Sequence, residues 1–420
     1  MYFYSTRDTG RVVRLSASQA ILKGLAADGG LFVPSSLPAL ARGLDPDMPY
    51  GQFAASVLEP FFKDDELEDS LEEICSSAFS FPIVIKDLSH ASVLELFHGP
   101  TSAFKDFGAR FLAYSMERLL VRSGKKLCIL VATSGDTGGA VASAFYKRKN
   151  LSVKVLFPKG RVAERQRKQL TCWDDNVESF EVDGSFDDCQ RMVKSAFVDH
   201  EYSSSLSSAN SINLGRLLPQ MVYYVYASMR YVKEKGKKPV IIVPSGNVGN
   251  STGAYWAMEM GAPIERIVLA VNANRTIPDY LESGQYRPRA SVKTLANAMD
   301  VGAPSNMERL FNLYPDIETM RAHLSSWSVS DDEIVSTIRR VWDEDGYVMC
   351  PHTACGEYVR KTQLDGLDNV LLVSTAHPAK FDTIVEPIIG QKVPVPAALA
   401  ELLGKESHCR EISADYHELF

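Results

Sequence analysis

"KKLCILVATSGDTGGAVASAFYKRKNLSVKVLFPKG", residues 125–160, decides the fold class. The stretch predicts a strand over residues 127–132, a glycine-rich turn, a helix over about 139–148 and a second strand over 153–157. The first strand is a continuous apolar run and the second is apolar except for Lys154, which is typical of parallel strands that are covered on both faces. Residues 125–160 therefore predict a βαβ unit.

A second unit of the same kind follows farther along the chain. "KPVIIVPSGNVGNSTGAYWAMEMG", residues 238–261, predicts a strand over 240–243, a turn and a helix over 252–260. "RIVLAVNAN" and "DNVLLVSTAHPAKF" each add another buried strand. We therefore expect an α/β protein with two open, mostly parallel sheets flanked by helices.

The pattern also predicts how the chain is divided. Residues 1–90 are expected to form a small N-terminal region, residues 91–235 a first α/β domain and residues 236–420 a second one. These boundaries are approximate, and the prediction includes the case in which the chain crosses from one domain to the other.

The composition is that of an ordinary globular protein. Of 420 residues, 45% are hydrophobic and 23% are charged, and the net charge is −7. This balance argues against nucleic acid as a partner, and no apolar run approaches the roughly 20 residues that span a bilayer.

Seven scattered cysteines and the absence of a signal-peptide pattern favour a reducing cytoplasm. Cys350, His352 and Cys355 lie close together, but no second ligand cluster follows, so we predict buried thiols and no metal.

Both βα turns bring glycines and small polar residues to the start of a helix. They are "TSGDTGG", residues 133–139, and "SGNVGN", residues 245–250. Backbone N–H groups at a helix start lack intrahelical partners, and the helix dipole favours an anion. Neither turn is a P-loop or a dinucleotide-binding glycine motif. Taken singly, each turn fits a plain βα connection as well as a phosphate cradle.

Lys105 lies between two phenylalanines, Phe104 and Phe107. A buried ammonium is costly to desolvate, so a dry pocket lowers the pKa of a lysine and makes its amine nucleophilic. Such amines form Schiff bases with aldehydes, and pyridoxal 5'-phosphate (PLP) is an aldehyde cofactor that carries a phosphate. One turn would then hold the cofactor phosphate and the other an anionic group of the substrate. The phenylalanines are expected to form walls for the flat ring.

Six motifs in order support a more specific interpretation. They are "DGGLFVP" (28–34), "HGPTSAFKDFG" (98–108), "ATSGDTGGA" (132–140), "ANSINLGRLLPQMVYY" (209–224), "PSGNVGN" (244–250) and "TAHPAKF" (375–381). With these motifs the chain resembles the threonine synthase family, of the longer bacterial and fungal type, within the fold type II PLP enzymes related to tryptophan synthase β. The resemblance implies that PLP lies between the two domains.

The resemblance also implies residue roles. Lys105 would bind PLP covalently and shuttle protons, and Thr375 would hydrogen-bond to the pyridine nitrogen. The cofactor phosphate would be held by Ser245, Gly246, Asn247, Val248, Gly249 and Asn250. The substrate carboxylate would be bound by Thr133, Ser134, Gly135, Asp136 and Thr137, and the substrate phosphate by Asn210, Ser211, Asn213 and Arg216.

The implied reaction converts O-phospho-L-homoserine and water to L-threonine and phosphate by γ-elimination and β-addition of water, the last step of threonine biosynthesis. Two alternatives stay open: a phospho-lyase that releases 2-oxobutyrate from the same substrate, and a PLP-binding relative without activity. We expect a monomer or homodimer in the cytoplasm, with no nucleic-acid or membrane partner.

Several polar residues near these motifs keep two interpretations each. His98 is either a catalytic base or a residue that stabilises the turn or lies beside the cofactor, and His377 has either a direct role or a place in the cavity wall. Lys380 either contacts a phosphate or faces water. Asp106 either orients Lys105 or caps the helix, and the cap is favoured. The protonation state of Asp136 is also left open.

Overall fold

The computed structural model describes residues 1–133 and 135–420. In chain order the strands are Phe3–Ser5 (β1), Phe32–Pro34 (β2), Val84–Asp87 (β3), Ser92–Glu95 (β4), Leu127–Ala132 (β5), Leu151–Pro158 (β6), Val177–Val182 (β7), Leu206–Ser207 (β8), Val240–Pro244 (β9), Arg266–Val271 (β10), Ser325–Ser328 (β11), Val370–Ser374 (β12) and Arg410–Ile412 (β13). The α-helices are Ala17–Lys23 (α1), Tyr50–Phe62 (α2), Leu71–Ala78 (α3), Lys105–Ser123 (α4), Asp136–Phe145 (α5), Glu164–Thr171 (α6), Phe186–Val198 (α7), Leu214–Lys235 (α8), Gly249–Glu259 (α9), Thr276–Ser283 (α10), Met307–Leu313 (α11), Ile317–His323 (α12), Asp331–Asp345 (α13), Pro351–Gln363 (α14), Asp382–Ile389 (α15) and Ala397–Gly404 (α16).

The larger sheet has six strands in the spatial order β11-β10-β9-β12-β4-β3. Its strands pair in parallel except for β3, which runs antiparallel to β4 at one edge. The central strands β9 and β12 are buried along their whole length, which explains their continuous apolar sequences.

The second sheet has five strands in the order β13-β7-β6-β5-β8, and all of its pairs are parallel. The antiparallel pair β1–β2 forms a small separate sheet near the N-terminus. Two open, mostly parallel sheets with helices between and around them confirm the predicted α/β fold. No helix of the described part of the chain is both long enough and apolar enough to cross a membrane.

The sheets are not built from separate halves of the chain. Strand β4 comes before the whole five-stranded sheet in sequence, yet it pairs with β12 of the six-stranded sheet. Strand β13 comes after the six-stranded sheet, yet it pairs with β7 of the five-stranded one. The chain thus crosses between the two sheets, and the boundaries near residues 90 and 235 stay a prediction.

Helix α8 ties the centre of the molecule together. It packs against both α4 and α9, the helices that follow β4 and β9. Its apolar side chains belong to one core with both neighbours, including Leu217, Met221 and Val222, which are fully buried. The first residues of α4 and α9 are therefore held in a fixed relation to each other.

Candidate active site

Three parallel strands of the six-stranded sheet end at the same edge. Strand β9 leads into residues 245–250, β12 leads into Thr375, and β4 leads into the loop that ends at Lys105. Because the carboxyl ends of neighbouring parallel strands meet at one edge, these segments come together there. They line a cavity of about 1780 Å³, and Thr133, Asp136 and Thr137, which follow β5 of the other sheet, line it as well.

The cavity collects most of the predicted site residues. Those that line it are Lys105, Thr133, Asp136, Thr137, Asn210, Ser211, Arg216, Ser245, Gly246, Asn247, Val248, Gly249, Asn250 and Thr375. Gly135 and Asn213 do not line the cavity, and Ser134 lies outside the described residues.

Lys105 is the first residue of α4, and the residues before it are held by the segment that follows β12. The backbone N–H of Phe104 donates to the carbonyl of Thr375 at 2.8 Å, and Ala103 forms an isolated β-bridge with Ala376. Burial lowers the pKa of Lys105 to about 8, an effect that the carboxylate of Asp136 partly opposes. About a tenth of the amine is therefore neutral, and nucleophilic, at pH 7, far more than for an ordinary lysine.

The two phenylalanines beside Lys105 have different surroundings. Phe104 lines the cavity, and its ring centre lies 5.4 Å from the Lys105 Nζ atom. Phe107 is fully buried and makes edge-to-face contacts with Tyr50 and Phe81. The prediction that both rings wall the cavity was wrong for Phe107. It lies two residues after Lys105 on α4, and two residues along a helix turn a side chain to the opposite face.

Asp136 joins two lysines at the bottom of the cavity. Its Oδ1 atom lies 2.8 Å from the Lys380 Nζ atom and accepts a hydrogen bond from Gln166 at 3.0 Å, while Oδ2 lies 3.9 Å from the Lys105 Nζ atom. Burial opposes ionisation, but Lys380 and Lys105 together hold the pKa of Asp136 well below its usual range. The sequence did not settle the protonation state of Asp136, and these contacts show that its carboxyl group is ionised.

Lys380 does not face water, which corrects one of its two predicted roles. Its side chain is only 1% exposed and also donates to the carbonyl of Thr101 at 2.7 Å. Lys380 thus fixes both Asp136 and the loop before α4. The sequence analysis missed this ion pair because Asp136 follows β5 and Lys380 follows β12, which belong to different sheets.

Asp106 binds the same loop from the other side. Its carboxylate accepts hydrogen bonds from the backbone N–H and the hydroxyl of Thr101, at 2.8 and 2.6 Å. The residue at the N-cap position of α4 is Phe104, which makes no side-chain cap. The predicted helix cap was therefore wrong, because the Asp106 carboxylate is used to close the turn from which Lys105 emerges.

Residues 245–250 have the geometry of an anion cradle. Val248 adopts a left-handed backbone with φ of 63°, and α9 begins directly after it. A Cβ atom on Gly246 would lie 2.7 Å from the Met299 Cα atom, so only glycine fits there. The Asn250 side chain accepts from the hydroxyl of Tyr224 at 2.9 Å, whereas its buried Nδ2 atom has no partner among the described residues. This cradle, with its unpartnered donor and a lysine in the same cavity, fits PLP.

Arg216 supplies a second anion-binding group. It is 1% exposed, and its Nη1 atom donates to the carbonyl of Ala209 at 2.6 Å. Among the described residues, its Nε atom has no hydrogen-bond partner and no carboxylate forms an ion pair with it. Burial lowers the pKa of Arg216 to about 10, which still leaves it charged. A buried cation without a protein carboxylate is suited to an anionic ligand.

The two anion-binding regions are directly connected. The Asn247 side-chain amide of the cradle donates to the Ser211 hydroxyl at 2.6 Å. Ser211 lies in the loop before α8, the helix that carries Arg216. A ligand on Arg216 and one on the cradle would therefore share one wall of the cavity.

Asn213 has a structural role, which corrects its predicted contact with the substrate. Its Oδ1 atom accepts from the backbone of Gly215 at 2.9 Å and so caps α8. Its Nδ2 atom donates to the carbonyls of Ile21 and Ser208 at 3.0 and 2.8 Å. The side chain is fully buried, and all of its polar atoms are occupied within the protein.

Of the three histidines near these motifs, one lines the cavity and two do not. His98 pairs with Glu95 at 2.8 Å, and His377 accepts from the backbone of Ala379 at 3.2 Å; neither lines the cavity. His352 does line the cavity, although the sequence drew attention to it only as a rejected metal ligand. Within residues 1–133 and 135–420, no group of His, Cys, Asp and Glu side chains is arranged to hold a metal ion.

Three known family models match the chain, and the second and third overlap. They are described as "Threonine synthase N terminus" over residues 2–79, "Pyridoxal-phosphate dependent enzyme" over residues 92–376 and "Threonine synthase, C-terminal" over residues 353–419. The threonine synthase of Serratia marcescens is 41% identical over 408 residues, covering 95% of this chain and 94% of the relative. That of Escherichia coli is 38% identical over 425 residues, covering 100% and 98%.

Solved structures agree with these matches. The crystal structure of Escherichia coli threonine synthase covers 100% of this chain and 98% of its own, with a TM-score of 0.91 at 38% identity. The PLP-bound threonine synthase of Brucella melitensis covers the same shares, with a TM-score of 0.92 at 34% identity. Sequence, fold and a cavity suited to PLP thus agree over nearly the whole chain, which belongs to the threonine synthase family of pyridoxal-phosphate-dependent enzymes.

Proposed function

We propose that this protein is a threonine synthase that converts O-phospho-L-homoserine and water to L-threonine and phosphate. The observation that carries the proposal is the pairing of two anion-binding regions in the cavity that contains Lys105. The cradle of residues 245–250 would take the cofactor phosphate. Arg216, buried without a carboxylate partner, would then take the phosphate of the substrate.

The residues around Lys105 can carry the proton transfers. When bound, PLP withdraws electrons from the substrate and so allows protons to leave the carbons next to the amino group. Lys105 would remove and return these protons, because its neutral amine is accessible from the cavity and its pKa is about 8. Asp136 and Lys380 would fix the charge beside it, and Thr375 would orient the cofactor ring. In the balanced reaction the Cα and Cβ protons leave, phosphate departs from Cγ, a proton joins Cγ, and water adds to Cβ before Cα is reprotonated.

A product assay tests the proposal. The purified protein with PLP is incubated with O-phospho-L-homoserine, and L-threonine, 2-oxobutyrate and phosphate are measured together. We expect threonine and phosphate in equal amounts. Mainly 2-oxobutyrate would identify a phospho-lyase instead, and no phosphate release from a protein that binds PLP would indicate the non-catalytic relative. Cytoplasmic location and a monomeric or homodimeric state remain predictions.

The low pKa of Lys105 predicts how PLP binding depends on pH. Only the neutral amine attacks an aldehyde, and burial lowers the pKa of Lys105 to about 8. In stopped-flow mixing of PLP with the apoprotein, the rate constant should rise with pH and level off above about 8. Nα-acetyl-lysine is the control, because its rate should keep rising toward the ordinary lysine pKa of about 10.4. A protein rate that rises in parallel with this control would contradict a lowered pKa.

A further inference from the structure

His352 is a buried cavity residue with one ring nitrogen occupied. It is the second residue of α14, is 2% exposed and lines the cavity. Its Nε2 atom accepts a hydrogen bond from the backbone N–H of Ala298 at 3.1 Å. An accepting ring nitrogen carries no proton, so the proton of the neutral ring must be on Nδ1.

The charge state of the ring supports this tautomer. Burial lowers the pKa of His352 to about 4, and the nearby charges of Lys105 and Lys380 act in the same direction. The imidazole is therefore neutral at physiological pH and presents one N–H donor, on Nδ1.

The Nδ1 donor has no partner among the described residues. Buried polar groups are nearly always hydrogen-bonded, so an unpartnered donor in a cavity wall indicates a missing acceptor. The carboxylate of Asp136 is close enough to affect the pKa of His352 but is not bonded to it. A molecule that enters the cavity can supply this acceptor.

The position of His352 shows which ligand could supply this acceptor. Ala298, to which the ring is bonded, lies in the turn Asn297–Met299. This turn packs on Gly246 of the cradle, where a Cβ atom would lie 2.7 Å from the Met299 Cα atom. His352 is thus hydrogen-bonded to a segment that packs on the cradle, and it lies close enough to Lys105 for that charge to lower its pKa. A molecule that joins the cradle to Lys105 would pass beside it.

We propose that His352 is a cofactor-binding residue whose Nδ1–H group donates a hydrogen bond to an oxygen of bound PLP. This inference rests on the proposed function only for the place of the cofactor, between the cradle and Lys105. The competing explanation is purely structural, with His352 serving only to support Ala298 through Nε2.

Two amide variants separate these explanations. In His352→Asn the side-chain amide can place an N–H near the position of Nδ1 but is too short to reach Ala298. In His352→Gln the side-chain oxygen can reach Ala298, and nothing replaces the donor on Nδ1. The dissociation constant of PLP is measured by absorbance titration of each apoprotein, and the release rate of PLP is measured with a phosphatase trap.

We expect His352→Gln to weaken PLP binding about tenfold or more, and His352→Asn to stay within about threefold of the wild type. The reverse order would assign a structural role, and equal affinities in all three proteins would also overturn the proposal. The product assay with excess PLP is a separate readout, so a different product would refute the proposed function without affecting this result.

A measurement on the wild type covers the case in which the variants fold poorly. In protein labelled with ¹⁵N-histidine, His352 should show a protonated Nδ1 and an unprotonated Nε2 before PLP is added. Addition of PLP should shift the Nδ1–H proton signal downfield. The opposite tautomer, or a signal that PLP leaves unchanged, would contradict the proposal.

Discussion

Lys105→Ala is expected to lower kcat for threonine formation by about 10⁴-fold or more. The amine lies in the cavity at the start of α4, and the neighbouring Lys380 is held by Asp136 and Thr101. The variant should also lose the absorption near about 410–420 nm that marks a lysine bonded to PLP. Steady-state kinetics with O-phospho-L-homoserine and a visible spectrum measure both effects.

Lys105→Arg is the matched control for charge. It keeps a cation beside Asp136, but its guanidinium stays protonated and cannot act as a nucleophile. We expect it to be as inactive as the alanine variant, and both should keep the thermal unfolding midpoint of the apoprotein within a few degrees. Activity above about 1% of the wild type in either variant would mean that another group carries the proton transfers.

Arg216→Lys should lower kcat/KM for O-phospho-L-homoserine by roughly 30- to 1000-fold, since the loss of a buried charged contact costs about 2–4 kcal/mol. Lysine keeps the charge but cannot reproduce the planar fork that holds a phosphate through two hydrogen bonds. The effect should appear mainly in KM, and inhibition by inorganic phosphate should weaken in parallel. The affinity for PLP should change little, because the cradle is a separate segment.

Arg110→Lys provides the comparison for Arg216. Arg110 is partly buried, lies on α4 away from the cavity and donates to the carbonyls of Ser77 and Ala78. We expect the KM of the Arg110→Lys variant for O-phospho-L-homoserine to be unchanged. An equal rise of KM in both variants, or weaker PLP binding only in Arg216→Lys, would argue against a substrate-phosphate site at Arg216.

The strands were the most predictable part of the fold. The predicted strand over residues 127–132 coincides with β5, and that over 240–243 is β9 without its last residue. Strands buried on both faces are apolar throughout, so the sequences of β5 and β9 mark their ends closely. The strand predicted over residues 153–157 is shorter than β6, which begins two residues earlier and ends one residue later. The first half of β6 includes the half-buried Ser152 and Lys154, so its sequence does not mark its start. The helices α5 and α9 each begin three residues earlier than predicted, at Asp136 and Gly249. The first turn of α5 contains Asp136 and two glycines, and that of α9 begins with Gly249. Tertiary contacts set the conformation of these residues, so the sequence does not mark where the helices begin.

The candidate site was predictable where its residues belong to a local motif. The cradle and Lys105 are of this kind, because the turn chemistry and the neighbouring residues are visible in a short window. The pairing of Asp136 with Lys380 and the packing of Phe107 away from the cavity depend on how distant elements meet. Asn213 shows the same limit, since its place in a motif near Arg216 did not reveal that it caps α8.

Strand β13 has a consequence for how the chain folds during synthesis. It covers the outer edge of β7 in the five-stranded sheet, yet the ribosome makes it only after every strand of the other sheet. Until then the edge of β7 presents unpaired backbone groups that can pair with another nascent chain. The five-stranded sheet can thus be completed only late in translation, and a chain stalled before residue 410 would be prone to aggregation.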